Sequence, residues 1–139
     1  MVFVLRKDEY HVIYNRILYY KEWWSFNLEI FGETEKEIKN DKNARIQYRQ
    51  ISLYIELLQR NGVNLNGNII KHLEDGIWEL RPGVNRIFFF YFENGTYVLL
   101  HQYRKKTQKT PKREIKKAKQ ERKEYLQKKE KENENMEWI

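Results

Sequence analysis

Arg81, Arg86, His101, Tyr103 and Lys105 carry the residue types that cleavage of a phosphodiester requires. Guanidinium groups grip phosphate oxygens in bidentate fashion and stabilise the extra negative charge of a phosphorane-like transition state. A histidine, a lysine of depressed pKa or a tyrosine can carry protons to and from the attacking and leaving oxygens. An aromatic ring can also stack an unpaired base. Taken singly, each residue has a plainer role. Arg81 and Arg86 fit solvated sheet positions or partners of Glu79, the one carboxylate nearby, and His101 and Tyr103 fit ordinary structural positions. What argues for a site is their convergence, and that depends on strand register.

Register follows from two turns. Asn94-Gly95 between apolar runs is a strong hairpin signal, and Pro82-Gly83-Val84-Asn85 supplies a second turn. They delimit strands over 77–81, 86–93 and 96–104, an antiparallel meander. A two-residue loop at Asn94-Gly95 sets Glu93 opposite Thr96, Phe88 opposite His101 and Arg86 opposite Tyr103. Alternation then gathers Arg81, Arg86, His101, Tyr103 and Lys105 on one face, at one end. The same count puts Trp78, Leu80, Ile87, Phe89, Tyr91, Val98 and Leu100 on the opposite face. Phe88, Phe90, Phe92 and Leu99 lie further along the first face, so a C-terminal helix or a protein partner must cover them.

Two helices flank this meander. Ala44, Tyr48, Ile51, Tyr54, Ile55 and Leu58 recur at helical spacing over 41–60, with Asp41 as cap and Asn61-Gly62 as stop. Thr110-Pro111 opens a last helix with Thr110 as its cap and a narrow stripe of Ile115, Ala118, Tyr125 and Leu126. A short helical turn is expected over 69–73, ended by Glu74-Asp75-Gly76. Upstream, 16–21 reads as the first strand, with 2–5 and 10–14 extending it or pairing beside it, and 27–39 offers a short helix. The run from Lys128 onward reads as a frayed tail.

The length of 139 residues suits one domain, 1–139, with 1–15 as an N-terminal extension or extra strand. Four Trp, ten Tyr and seven Phe supply enough apolar area to order a chain that is 34% charged. The absence of cysteine excludes disulfides, zinc thiolates and thiol nucleophiles. His11, His72 and His101 lack metal-ligand spacing, so neither metal nor cofactor is expected. No apolar run approaches the roughly 18 to 20 residues of a membrane span, and the N-terminus lacks a signal peptide's apolar region. A cytoplasmic protein without a membrane partner is the expectation, and Asn94-Gly95-Thr96 reads as a turn rather than a glycosylation site.

Charge is unevenly placed. Residues 104–131 hold fourteen Lys and Arg against four Glu, and the remainder thirteen against sixteen Asp and Glu. A slightly acidic body with a strongly basic C-terminal quarter suggests a polyanionic partner.

The stretch from Ile70 to Arg122 resembles the RelE/HigB-like toxins of bacterial and phage type II toxin–antitoxin systems, in the HigB-like, phage-derived branch. The resemblance rests on Lys71-His72-Leu73-Glu74-Asp75-Gly76, Trp78-Glu79-Leu80-Arg81, Arg86 opening the next strand, Leu99-Leu100-His101, and Lys105-Lys106-Thr107-Gln108-Lys109-Thr110-Pro111. The spacing of Glu114 and Ala118 also fits, and the likeness spans 44–125. It implies an α+β fold, a curved antiparallel sheet backed by two helices, the last of them basic. It also implies a metal-independent mRNA endoribonuclease, usually acting on the ribosome, in which a 2′-hydroxyl attacks the adjacent phosphate to leave a 2′,3′-cyclic phosphate and a 5′-hydroxyl.

Carried to matching positions, the resemblance implies Arg81, Arg86, His101, Lys105 and Lys106 as catalytic residues. It implies Tyr103, Arg104, Lys109, Lys112, Arg113 and Lys116 as RNA-contacting residues. The implied partners are mRNA, the ribosome and a helix-turn-helix, HigA-like antitoxin, a segment of which would fit over Phe90, Phe92 and Leu99. A non-catalytic RNA- or ribosome-binding protein that kept the fold is the alternative.

Overall fold

The structure is a computed structural model and describes residues 2–3, 16–19 and 42–137. Expectations for 10–14 and 27–39, and for Asp41 as a cap, lie outside the described residues. The first helix, α1, occupies Lys42–Asn61. It forms because Ala44, Ile51, Ile55 and Leu58 fall on one face, and all four are buried. It ends where Gly62, at φ 59°, takes the left-handed conformation and donates its N–H to Leu58 O at 2.8 Å.

Strands β1 (Val2–Phe3), β2 (Arg16–Tyr19), β3 (Ile70–Glu74), β4 (Ile77–Leu80), β5 (Asn85–Tyr91) and β6 (Thr96–Arg104) form one curved, open sheet in the order β1-β2-β6-β5-β4-β3. The meander β3 to β6 is antiparallel throughout, as expected. At its far side β2 runs parallel to β6, and β1 pairs antiparallel with β2. The second helix, α2, spans Lys112–Glu137, so the expected frayed tail from Lys128 is helical as far as Glu137.

One face of the sheet packs on α1 through Ile70, Leu80, Ile87, Phe89, Tyr97 and Leu99. The other packs on α2, where Ile77, Phe88, Phe90, Val98 and Leu100 meet Ile115, Ala118 and Tyr125. At about 1.5–3 kcal/mol for each fully buried large apolar side chain, these two layers dominate the favourable side of folding. Phe90 is covered by α2, with its ring 5.9 Å from that of Tyr125, and Phe92 packs on the same tyrosine at 5.5 Å. The expectation that an antitoxin segment covers Phe90, Phe92 and Leu99 is therefore overturned for Phe90 and Leu99, which lie under α2 and α1, while Phe92 is half-buried beside Tyr125.

Three local expectations are corrected. Residues 69–73 do not form a helical turn but enter strand β3, whose irregular register between His72 and Glu74 hides its alternation. The Asn94-Gly95 turn has three loop residues rather than two: Phe92 N–H donates to Thr96 O, and Asn94 and Gly95 both have positive φ. Near the turn the pairing is therefore Tyr91 with Tyr97, Phe90 with Val98 and Phe89 with Leu99. This turns Val98 and Leu100 toward α2 and Leu99 toward α1, the reverse of the expected faces.

A register shift between Ile87 and Phe89 then restores Arg86 opposite Tyr103, as expected. Leu100 and His101 together face Phe88, so His101 and Tyr103 share the face of Arg86.

Ala118 is fully buried where α2 crosses the sheet. Ala118→Leu is expected to overpack this contact and destabilise the protein by about 1–3 kcal/mol. Urea unfolding checks this: the midpoint should fall while the slope of free energy against urea stays constant.

Candidate functional site

At the end of the sheet near the 82–85 turn, four side chains from four segments meet around one carboxylate. Glu79 of β4 is 1% exposed. Its Oε2 accepts from Tyr103 Oη at 3.1 Å and from Thr110 Oγ1 at 2.8 Å. Its Oε1 lies 3.4 Å from Arg81 Nε and 3.7 Å from Arg86 Nε. Hydroxyls thus take one oxygen and guanidiniums stand at the other. Thr110, expected as the cap of α2, spends its hydroxyl on Glu79, and the helix instead begins from Pro111 O, which accepts from Glu114 N–H at 3.1 Å.

The two arginines are held differently. Arg86 is 6% exposed, and its Nη1 donates to Gly83 O and Asn85 O, both at 2.8 Å. Burial lowers its affinity for the proton below the ordinary value, with Glu79 opposing the shift; a guanidinium so perturbed remains charged at neutral pH. Arg81 is more open. Its Nη1 donates to Gly67 O at 3.0 Å, while its buried Nε is misaligned with Glu79 and has no hydrogen-bond acceptor. Two cations against one buried anion leave a net positive charge at this end of the sheet.

Tyr103 completes the cluster. Its ring stacks on Phe88 at 5.4 Å, and its phenol is pushed up from 10.0 to about 12, chiefly by burial, with the Thr110 hydrogen bond opposing and Glu79 adding to the shift. It stays a neutral donor across the physiological range.

His101 stands on the same face but is engaged elsewhere. It is 8% exposed, its ring is 4.8 Å from Phe88, and both ring nitrogens meet carboxylates of α2. Nδ1 lies 2.5 Å from Glu121 Oε1 and Nε2 lies 2.6 Å from Glu114 Oε2, each within hydrogen-bond distance.

The basic residues flank the cluster. Lys105 is half-buried in the loop that leaves β6, and its N–H is tied to Val84 O at 2.8 Å, which holds the loop's start against the Arg86 turn. Lys106, Lys109, Lys112, Arg113 and Lys116 are exposed on the loop and on α2. Arg104 does not join them: it reaches across the α1 face, where its Nη2 donates to Gln47 Oε1 at 3.0 Å. The structure thus gathers Arg81, Arg86 and Tyr103 about Glu79, seats His101 beside them under α2, and turns Arg104 away.

In sequence Glu114 was noted only for its spacing to Ala118 in the resemblance, and Glu121 was not singled out; neither was given a place in the site. The signal for them is their seven-residue spacing, two helical turns, beside the apolar stripe of Ile115 and Ala118. Among the described residues no cluster of acidic groups or histidines could hold a metal ion, and no helix is long and apolar enough to cross a membrane.

An open antiparallel meander between two helices is the α+β fold that the resemblance to the RelE/HigB-type toxins led one to expect. Residues 39–123 match the phage derived protein Gp49-like family, and the chain belongs to that family, which falls within this toxin class. No curated protein matches the chain.

Two measurements check the electrostatics. Removing the Glu79 carboxylate leaves Arg86 buried without a counter-charge, so Glu79→Ala is expected to cost about 3 kcal/mol in urea unfolding. For Tyr103, the unfolded chain releases the phenolic proton near 10.0 and the native chain near 12. Its contribution to stability is therefore fully present below the lower value and is lost as pH rises toward the upper. Ultraviolet titration of native Tyr103→Phe should lack one phenol that ionises at the alkaline end and keep the earlier transitions.

Proposed function

We propose that this protein is the toxin of a type II toxin–antitoxin pair and an endoribonuclease that cleaves mRNA on the ribosome. The observation that carries the reading is the pairing of Arg81 and Arg86 at one carboxylate on the sheet end, next to a loop and helix rich in lysine. Two guanidiniums held by a shared anion are pre-organised to take the non-bridging oxygens of a phosphodiester, and so lose little entropy when they do.

In the reaction, the 2′-oxygen bonds to phosphorus as the bond to the 5′-oxygen breaks. The 2′-hydroxyl gives up its proton, and the departing 5′-oxygen takes one. The products are a 2′,3′-cyclic phosphate and a 5′-hydroxyl. Arg81 and Arg86 stabilise the charge on the phosphorane-like transition state, while Tyr103, held neutral, and the Lys105–Lys106 pair serve the proton transfers. Lys109, Lys112, Arg113 and Lys116 meet the RNA backbone in a salt-sensitive way. The setting is the cytoplasm, where ribosomes are, and the partner that silences the toxin is a helix-turn-helix, HigA-like antitoxin.

One observation favours a second reading. Both guanidiniums face Glu79, and His101 is fully engaged, as in a site that binds RNA and no longer cuts it. A non-catalytic ribosome or RNA binder of the same fold follows from that. Mapping RNA 5′ ends after induction separates the two: new ends within coding regions support the enzyme, whereas arrested growth with unchanged ends supports the binder.

Lys105 and Lys106 lack a carboxylate partner among the described residues, so the double variant Lys105→Ala/Lys106→Ala isolates the site from the fold. It is expected to lower cleavage by about 100-fold and relieve growth arrest, with the thermal melt unmoved. An equally toxic double variant counts against the proposal. Arg86→Ala is the poorer test, because Arg86 also holds the 82–85 turn.

A further inference from the structure

His101 is an acid/base candidate by residue type, yet its geometry gives it different work. A general base needs a free lone pair, and a general acid needs a proton that can reach the substrate. Both ring nitrogens of His101 are already engaged, by Glu114 at 2.6 Å and Glu121 at 2.5 Å, and the side chain is 7% exposed. Neither ring nitrogen is open to a substrate in this arrangement.

The spacing of the two glutamates explains what such a bridge does. Residues seven apart lie on one helix face about 10 Å apart along the axis, so their side chains reach one ring from opposite directions. A slide of α2 by one turn, about 5 Å, would break both bonds at once. The apolar contacts do not fix that slide equally well, because the stripe is narrow and its centre is the small Ala118. Further along, Lys119 Nζ lies 2.9 Å from Glu74 and 2.7 Å from Asp75, and Arg122 Nη1 donates to Asp75 O. That second attachment ties α2 to the β3–β4 turn, but it is more exposed, with side chains 31%, 52% and 67% accessible. The buried attachment at His101 is the one that resists water and salt.

We propose that His101 is a positioning residue: through Glu114 and Glu121 it sets the axial register of α2 on the sheet, and so places the outward basic face of Arg113, Lys116 and Lys117 in line with the lysines of the preceding loop. It exchanges no proton with substrate. This deepens the ribonuclease reading for its RNA-dependent part and is independent of that reading for its structural part.

Two variants test it: His101→Ala, and the near-isosteric Glu121→Gln, which keeps the histidine and the shape of the contact. Hydrogen exchange on the full chain should show α2 amides over 115–125 exchanging about tenfold faster in both. Binding to a non-cleavable 2′-O-methyl RNA, followed by fluorescence anisotropy, should weaken about tenfold with a shallower salt dependence. In cleavage of the unmodified RNA, KM should rise while kcat stays within about threefold and the pH profile keeps its shape. The proposal is overturned if α2 protection and RNA affinity are unchanged in His101→Ala while kcat falls by about 100-fold or more and a limb of the pH profile is lost. It is overturned equally if Glu121→Gln leaves both α2 protection and RNA affinity intact. Should the wild type bind the RNA and cut nothing, the ribonuclease reading fails, and exchange and anisotropy still decide the role of His101.

Discussion

The structure at the basic end of the sheet depends on one buried negative charge. Glu79 sits where β4, β5, β6 and the loop before α2 come together; β6 and the loop each send it a hydroxyl donor, while Arg81 just past β4 and Arg86 of β5 bring it positive charge. A carboxylate removed from water is unfavourable unless its oxygens are matched, and here hydroxyls match one oxygen while guanidiniums stand at the other. The constraint acts both ways. Arg86, nearly as buried, could not remain where it is without that carboxylate, and the 82–85 turn whose carbonyls it binds would lose its brace. Thr110 carries the constraint to the entrance of α2, so the position of the basic helix is linked to the charge beneath it.

The two faces of the sheet divide the labour. The α1 side is apolar over most of its area, with a chain of amides at its end in which Gln102, Asn85 and Gln47 follow one another before Arg104. The α2 side changes character along its length, from the aromatic packing of Phe90, Phe92 and Tyr125 to the polar contacts of His101 and Glu79. One helix therefore serves as core at one end and as the wall of a charged site at the other.

Much of this was legible in the sequence where a local rule had a single solution. The period of α1 and the Asn-Gly and Pro-Gly turns marked the helix and the meander, and the pairing of Arg86 with Tyr103 came out as expected. The strand β3 was not legible, because its buried, exposed, exposed, half-buried sequence from Ile70 to Leu73 breaks the two-residue alternation at an irregular pairing. The exchange of Leu99 with Val98 and Leu100 went unseen for a related reason: a three-residue loop and a two-residue loop share the same Asn-Gly signal. In the site, the arginines announced themselves by residue type. Glu114 and Glu121 did not, since glutamates on a basic helix usually face water, and only the docked helix shows which ones turn inward.

The irregular pairing opposite Phe88 has a consequence for how freely this hairpin can vary. Strand β6 carries its own phase correction, one extra residue inserted between its turn-proximal half and its site-proximal half. A shorter turn with regular pairing and the present longer turn with the insertion deliver the same side chains to the Arg86 end. The distal loop and the charged end are thus insulated from each other: a one-residue change at the tip can be absorbed midway along the strand. What it would exchange is only which aliphatic residues face which helix.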